Sequence, residues 1–209
     1  SPMDELSRAI GSSNLMRFFA RATEQFADIH LKELNVEEVG PHREMVVGGH
    51  QLVNFGFDSF LGLDHDPRVK AALTRGAKQW GTQFGASRAF ASCGIEVELE
   101  QKIARWMGTE AAVIFPSVTL ANLGVLPGIV GPQDIIVIDE FAHNSIQEGT
   151  RIAQANGSRV MTVKHTDAAA LEQALIAAKP YRCAVIATDG VHSMRGTNAA
   201  MRQHGERAR

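Results

Sequence analysis

The sequence after Gly108 alternates between short apolar runs and stretches with helical periodicity, and this alternation limits the fold more than any other feature. The apolar runs are Ala111–Phe115, Asp134–Asp139, Ser158–His165 and Arg182–Gly190. Their composition is typical of strands buried on both faces. Helices are predicted between them, through Ile129, over Asn144–Ala155 and over Ala168–Ala178. The order predicts βαβ units with right-handed crossovers, and therefore an α/β fold with a mostly parallel sheet flanked by helices.

The chain before Gly108 has a different pattern. Asp4–Leu34 carries apolar residues at helical spacing, which predicts one or two amphipathic helices broken near Gly11–Asn14. Further elements are predicted as short strands over Met45–Val47 and Gln51–Phe55 and as helices over Asp66–Gln79 and Glu96–Met107.

These patterns divide the chain into three segments. Residues 1–55 form a helical segment with short strands, and residues 56–196 form an α/β large domain. Residues 197–209 have no strand pattern and little apolar content. This tail is compatible with an exposed helix, a disordered end or a product of truncation.

Composition excludes several classes of partner. The formal net charge of -2 creates no basic field for nucleic acid. No apolar run reaches the roughly 18 to 20 residues of a membrane helix. The first residues lack the pattern of a secretory signal, and Ser1 and Pro2 before Met3 resemble the remnant of an expression tag. Cys93 and Cys183 lack C-x-x-C spacing, which favours reduced thiols and a cytoplasmic protein.

Most common catalytic signatures are absent from the sequence. It has no phosphate-binding P-loop, no dinucleotide-binding glycine fingerprint and no G-x-S-x-G elbow. The eight histidines show no ligand spacing, so we expect no metal site. His65 lies between Asp64 and Asp66, where a helix cap is the simpler interpretation.

Three polar clusters follow predicted strands, where ligands bind in α/β sheets. Ser117 and Thr119 open a helix and are compatible with either phosphate binding or ordinary N-capping. His143 follows a buried strand, where an imidazole either stacks on a flat ring or is only structural. Asp189, His192 and Ser193 cluster after the last strand.

Five segments together resemble the α-oxoamine synthase family of fold-type I pyridoxal-phosphate enzymes. They are NFGFDSFLGLDHDP (54–67), GASRAFASCG (85–94), LEQKIARWMG (99–108), DEFAHNSIQEG (139–149) and TDGVHSMRG (188–196). Their order and compatible spacing make the resemblance specific. It implies part of the large domain of an aspartate-aminotransferase-like fold.

The resemblance also implies site residues and a cofactor. The residues implied to bind pyridoxal 5′-phosphate are Ser117, Val118, Thr119, His143, Asp189 and Ser193. His143 is implied to be catalytic, because it stacks on the pyridine ring and orients the substrate. Asp58 is implied to lie near the substrate. Lys164 falls in a stretch without a catalytic role and is interpreted as a surface residue.

The implied activity is condensation of an amino acid with an acyl-CoA, with loss of CoA and usually carbon dioxide. The Schiff-base lysine of such enzymes follows a D-(D/E)-(A/S)-H strand that the sequence lacks, so we expect a truncated or frameshifted chain. The alternatives are a non-catalytic binding or regulatory subunit and a small α/β binding protein. His192 and Arg195 replace a Phe and an Asp of the family pattern. A homodimer, or assembly with a second polypeptide, is expected.

Overall fold

The structure is a computed structural model that describes residues 2–12, 14–25, 35–56, 58–199 and 205. The chain forms two compact units, residues 1–86 and residues 87–209. The division therefore follows residue 86, whereas the sequence pattern placed a boundary after residue 55. The predicted helical region over 26–34 lies outside the described residues.

The first unit combines helices with a small antiparallel sheet. Its elements are α1 (Pro2–Gly11), α2 (Asn14–Gln25), β1 (Val36–Val39), β2 (Glu44–Val47), β3 (His50–Val53), a 3-10 helix (Leu63–His65) and α3 (Pro67–Trp80). The strands lie in the order β1-β2-β3. Asp66 caps α3 by accepting a hydrogen bond from the Arg68 N–H at 2.8 Å, and Pro67 occupies the first helical position.

The second unit contains the parallel sheet that the sequence predicts. Its elements are α4 (Gly94–Met107), α5 (Val118–Ile129), β4 (Ile135–Asp139), α6 (Asn144–Ala155), β5 (Arg159–Val163), α7 (Ala168–Ala177) and β6 (Ala184–Ala187). The strand order is β5-β4-β6, with both pairs parallel. The α/β fold class is therefore confirmed. Within the described part of the chain, no helix has the length and apolar character needed to cross a bilayer.

β4 is buried along its whole length because helices cover both faces. Ile136 and Ile138 pack with residues of α5 and α6. Ile135 and Val137 point to the opposite face and pack with residues of α7. The central strand therefore contributes to two separate cores.

The strand predicted over Ala111–Phe115 is wrong. No residue of this segment pairs with a strand in the described chain, and two of its backbone groups bond to side chains instead. The Ile114 N–H donates to Glu100 Oε1 at 2.9 Å, and the Thr109 hydroxyl donates to the Ala111 carbonyl at 3.0 Å. The run is apolar, yet Val113 is 68% exposed and Phe115 is 40% exposed, so apolar composition alone gives neither burial nor a strand without a partner for the backbone.

Glu100 holds this segment against α4, and this predicts a pH-dependent stability. Arg88 donates two hydrogen bonds to the carboxylate, at 2.6 and 2.9 Å. The Arg88 guanidinium, and after it the Ile114 N–H, lower the pKa of Glu100 to about 2. Because the pKa is lower in the folded state, the carboxylate stabilises the fold above its unfolded pKa of about 4.3. That contribution disappears as the pH falls towards 2.

We expect Glu100→Gln to lower the free energy of unfolding at pH 7, with the difference from wild type shrinking as the pH falls below about 4.3. Urea denaturation at several pH values measures this. Glu98→Gln is the matched control, because Glu98 forms an exposed pair with Lys102 and should contribute little. A difference for Glu100→Gln that stays constant down to pH 2.5 would contradict the assignment.

The start of the predicted tail is attached to the loop that follows β6. The His192 N–H donates to the Thr197 carbonyl at 2.9 Å, and the Ala199 N–H donates to the Gly190 carbonyl at 3.1 Å. Val191 and Asn198 form an isolated antiparallel bridge. Residues 197–199 therefore return to the loop after β6, while 200–204 and 206–209 lie outside the described residues.

Candidate ligand-binding site at the end of the central strand

The strand order places a crevice at the carboxyl end of β4. From β4 the chain passes through α6 to β5 on one side, and then through α7 to β6 on the other side. The first connection leaves the central strand for β5, and the second returns past β4 from β5 to β6, so the direction of the chain reverses beside the central strand. Ligands bind in open α/β sheets at such a reversal. His143 lies four residues beyond the last residue of β4 and caps α6.

Two contacts with Ser145 fix the ring of His143, and Asn122 supports them. Its Nδ1 accepts from the Ser145 N–H at 3.1 Å and lies 2.8 Å from Ser145 Oγ. Asn122 Nδ2 donates to the same Oγ at 2.9 Å, which leaves the hydroxyl proton for the imidazole. Because Nδ1 accepts, the neutral ring carries its proton on Nε2. The exposed imidazole is therefore held in one orientation and one tautomer.

Asp189 fixes the backbone of the same residue. Its Oδ2 accepts from the His143 N–H at 2.7 Å, across 46 residues of sequence. Asp189 lies in the loop after β6, so this bond joins the ends of neighbouring strands. The structure thus brings together two residues that the sequence analysis assigned to one site.

A cavity of about 400 Å³ opens beside His143. Its walls are formed by Glu140, Phe141, Ala142, His143, Asn144, Gln147, His192, Ser193, Met194 and Arg195. The Arg195 guanidinium lies 3.6 Å from the centroid of the Phe141 ring, so one wall carries a cation held on an aromatic face. Ser193 is exposed in this wall.

The first turn of α5 offers free backbone donors. Ser117 caps the helix by accepting from the Leu120 N–H at 3.1 Å, and its carbonyl accepts from the Ala121 N–H at 3.0 Å. Among the described hydrogen bonds, the N–H groups of Val118 and Thr119 have no acceptor. Two adjacent free amides at a helix N-terminus can bind an anion.

This turn is connected to His143 indirectly. In the described part of the chain, no hydrogen bond joins Ser117, Val118 or Thr119 to His143; the connection passes through Asn122 and Ser145. Sequence reasoning missed both intermediates. Ser145 follows His143 by two residues, which is a spacing that could have indicated a side-chain cap.

Asp58 lies in the first unit and is exposed. Its main-chain carbonyl accepts from the Phe60 N–H at 2.8 Å. Its assignment to the substrate stays a prediction.

The parallel sheet has a polar crevice at the point where the direction of its connections reverses. This arrangement is typical of α/β proteins that bind a ligand at the carboxyl ends of their strands. The chain belongs to the aminotransferase class I and II family, whose family profile matches residues 50–204, and its relatives are α-oxoamine synthases. The cofactor of this family is pyridoxal 5′-phosphate. The resemblance read from the motifs is therefore confirmed at the level of the family.

Curated relatives support the same family. The chain is 40% identical over 156 residues to an 8-amino-7-oxononanoate synthase of Methylocella silvestris, covering 74% of this chain and 44% of the relative. It is 36% identical over 172 residues to one of Thermoanaerobacter pseudethanolicus, covering 81% and 43%. The chain thus spans less than half the length of these relatives.

Solved structures agree in fold. A serine palmitoyltransferase from S. paucimobilis with a bound PLP–myriocin aldimine matches with a TM-score of 0.82 and 23% identity, over 94% of this chain and 50% of that one. An 8-amino-7-oxononanoate synthase from Francisella tularensis matches with a TM-score of 0.59 and 21% identity, over 74% and 42%. At these identities the likeness concerns the fold.

Proposed function

We propose that the chain forms the cofactor-binding part of a pyridoxal-phosphate-dependent acyltransferase of the α-oxoamine synthase type. The whole protein would condense an amino acid with an acyl-CoA and release CoA and usually carbon dioxide. The observation that carries this proposal is the double fixation of His143, through its ring by Ser145 and through its backbone by Asp189, at the strand reversal. A cytoplasmic location and a homodimer, or a complex with a second polypeptide, belong to the same proposal.

The described residues fit the cofactor. A flat heteroaromatic ring needs an ordered planar surface, and His143 offers an exposed imidazole in a fixed orientation. A phosphate needs donors, and Val118 and Thr119 offer two free N–H groups. The polar edge of the ring needs hydrogen-bonding groups, for which Ser193 is available in the cavity wall.

Each of these residues then has a distinct role. When bound, pyridoxal 5′-phosphate supplies an electron sink for a carbanion at the α-carbon of the amino acid. His143 would hold the ring by stacking and would direct its Nε2 proton towards the bound substrate. Asp189 keeps the backbone of His143 in place. Ser117 caps the phosphate-binding turn, and Asp58 is proposed to contact the substrate.

A non-catalytic binding subunit remains the second candidate. The cavity wall carries Arg195 over Phe141, where the family pattern has an acidic residue in place of Arg195. Arginine in place of an acidic residue reverses the charge beside the site. This reversal favours a ligand different from that of the catalytic family members. A Schiff base needs a lysine amine near the cofactor, but Lys164 is paired with Glu140 at 2.9 Å and its side chain is 78% exposed.

Equilibrium dialysis with pyridoxal 5′-phosphate tests the cofactor proposal. We expect saturable binding of one equivalent, weakened about 5- to 10-fold by His143→Ala, because ring stacking contributes about 1 kcal/mol. His65→Ala is the matched control, since this histidine lies in the first unit. Absence of binding, or equal affinity of His143→Ala and wild type, would contradict the proposal.

Borohydride reduction of the loaded protein tests whether a lysine of this chain forms a Schiff base with the cofactor. We expect that peptide mapping finds no single lysine labelled stoichiometrically, because Lys164 is engaged with Glu140. Stoichiometric labelling of Lys164 would instead show that this chain forms its own Schiff base.

A further inference from the structure

Behind the wall of the cavity, one carboxylate and two imidazoles meet in the interior. Asp139 ends β4, His165 follows β5, and His192 follows β6. Asp139 is 4% exposed and His192 is 2% exposed. One potential ligand atom from each residue lies within 4.8 Å of the others. Three parallel strands that end at the same edge therefore assemble a cluster that sequence spacing does not reveal.

The distances within the cluster suit a shared ion. His165 Nδ1 lies 2.9 and 3.0 Å from the two oxygens of Asp139. His192 Nε2 lies 3.8 Å from Asp139 Oδ1, which is too long for a hydrogen bond. Two ligand atoms bound at about 2.0–2.1 Å to one tetrahedral zinc ion are about 3.4 Å apart. This spacing lies between the His165–Asp139 distance and the His192–Asp139 distance.

Thr197 holds the outer nitrogen of both rings. His165 Nε2 lies 2.8 Å from Thr197 Oγ1, and His192 Nδ1 lies 3.2 Å from the Thr197 carbonyl. A carbonyl only accepts, so His192 Nδ1 carries the proton and Nε2 keeps a lone pair directed into the cluster. Metal-binding histidines almost always have the other nitrogen held by such a partner.

The remaining contacts of the cluster orient its carboxylate. Asp139 Oδ1 accepts from the Phe141 N–H at 2.8 Å, and Oδ2 accepts from the Thr166 N–H at 3.0 Å. The Thr188 hydroxyl lies 3.4 Å from His192 Nε2.

We propose that Asp139, His165 and His192 bind one divalent transition-metal ion of the zinc type. His165 then carries its proton on Nε2, where it donates to Thr197 Oγ1, and its Nδ1 becomes a ligand. The Thr188 hydroxyl or a water molecule completes the tetrahedron. Because the ligands are buried and follow three different strands, the ion has a structural role and joins the loops that form the cavity wall. The proposal is independent of the proposed acyltransferase activity.

Zinc binding by metal-free protein is the direct test. After dialysis against a chelator, titration calorimetry with Zn²⁺ alone should show one equivalent bound, and Mg²⁺ should not compete, because it prefers oxygen ligands. His192→Phe should weaken binding by about 100-fold or more, because loss of an outer partner alone costs 10- to 100-fold. His50→Gln is the matched control and should bind like wild type.

The visible absorption spectrum of wild-type protein loaded with Co²⁺ instead of Zn²⁺ provides a second test. Intense visible bands are expected from a four-coordinate site with nitrogen ligands. Absence of zinc binding, equal binding by His192→Phe, or a weak six-coordinate Co²⁺ spectrum would each overturn the proposal and indicate surface binding at most. The Co²⁺ spectrum decides the question even where far-UV circular dichroism shows that His192→Phe fails to fold.

Discussion

Replacement of Ile136 by alanine is expected to lower the free energy of unfolding by about 2–5 kcal/mol. Ile136 is fully buried in β4 and packs in one cluster with Leu126, Ile146 and Ala153. Its neighbours in the sheet are Val160 and Val185, so strands on both sides prevent collapse of the cavity. Urea denaturation followed by circular dichroism measures the loss.

Ile176→Ala is the matched control for this substitution. Ile176 lies in α7 and is 60% exposed, so removal of the same atoms should change the free energy of unfolding by less than about 0.5 kcal/mol. Equal losses for Ile136→Ala and Ile176→Ala would show that β4 is not the centre of the core.

Substitution of Gly149 by alanine is expected to cost about 3 kcal/mol and to weaken cofactor binding as well. A Cβ atom at this position would lie 2.4 Å from the Asn122 carbonyl oxygen and 3.1 Å from a methyl group of Leu126. The backbone oxygen cannot rotate away, so α5 and α6 must separate, at the upper end of the usual cost of overpacking. Asn122 also donates to Ser145, and the separation therefore disturbs the bond that orients His143.

Gly76→Ala gives the opposite expected result. Gly76 lies inside α3, and a Cβ there would meet nothing within 4 Å. The helix should gain about 0.5–1 kcal/mol, because alanine loses less backbone entropy than glycine. Measurements of unfolding and of pyridoxal 5′-phosphate affinity on both variants check this pair. A neutral Gly149→Ala would mean that the helices can move apart without cost.

Local signals explain which elements the sequence predicted. The helix over Asn144–Ala155 has the predicted bounds, because a polar cap precedes it and apolar residues recur at helical spacing along it. β4 and β5 were predicted because their apolar runs are short and bounded by turn residues. Ala111–Phe115 has the same composition, but its backbone bonds go to side chains, and composition carries no information on pairing.

The site was predictable only in part, for the same reason. Motif resemblance placed His143 and Asp189 in one site, and the structure joins them by a hydrogen bond. The Asn122–Ser145 contact joins residues 23 positions apart, and it arises from the close approach of two helices at Gly149. The cluster of Asp139, His165 and His192 likewise depends on strand order, which no local spacing encodes.

The division of the interior by β4 has a consequence for how such a sequence can diverge. Ile136 and Ile138 belong to the packing group that contains Ala142 and Ile146, which flank the ligand site, whereas Ile135 and Val137 belong to the group around α7. No residue is shared between the two groups. Compensating changes of side-chain volume can therefore accumulate on the α7 face over many generations without displacing His143. Among the core residues of β4, selection for the ligand site should therefore act on Ile136 and Ile138 more than on Ile135 and Val137.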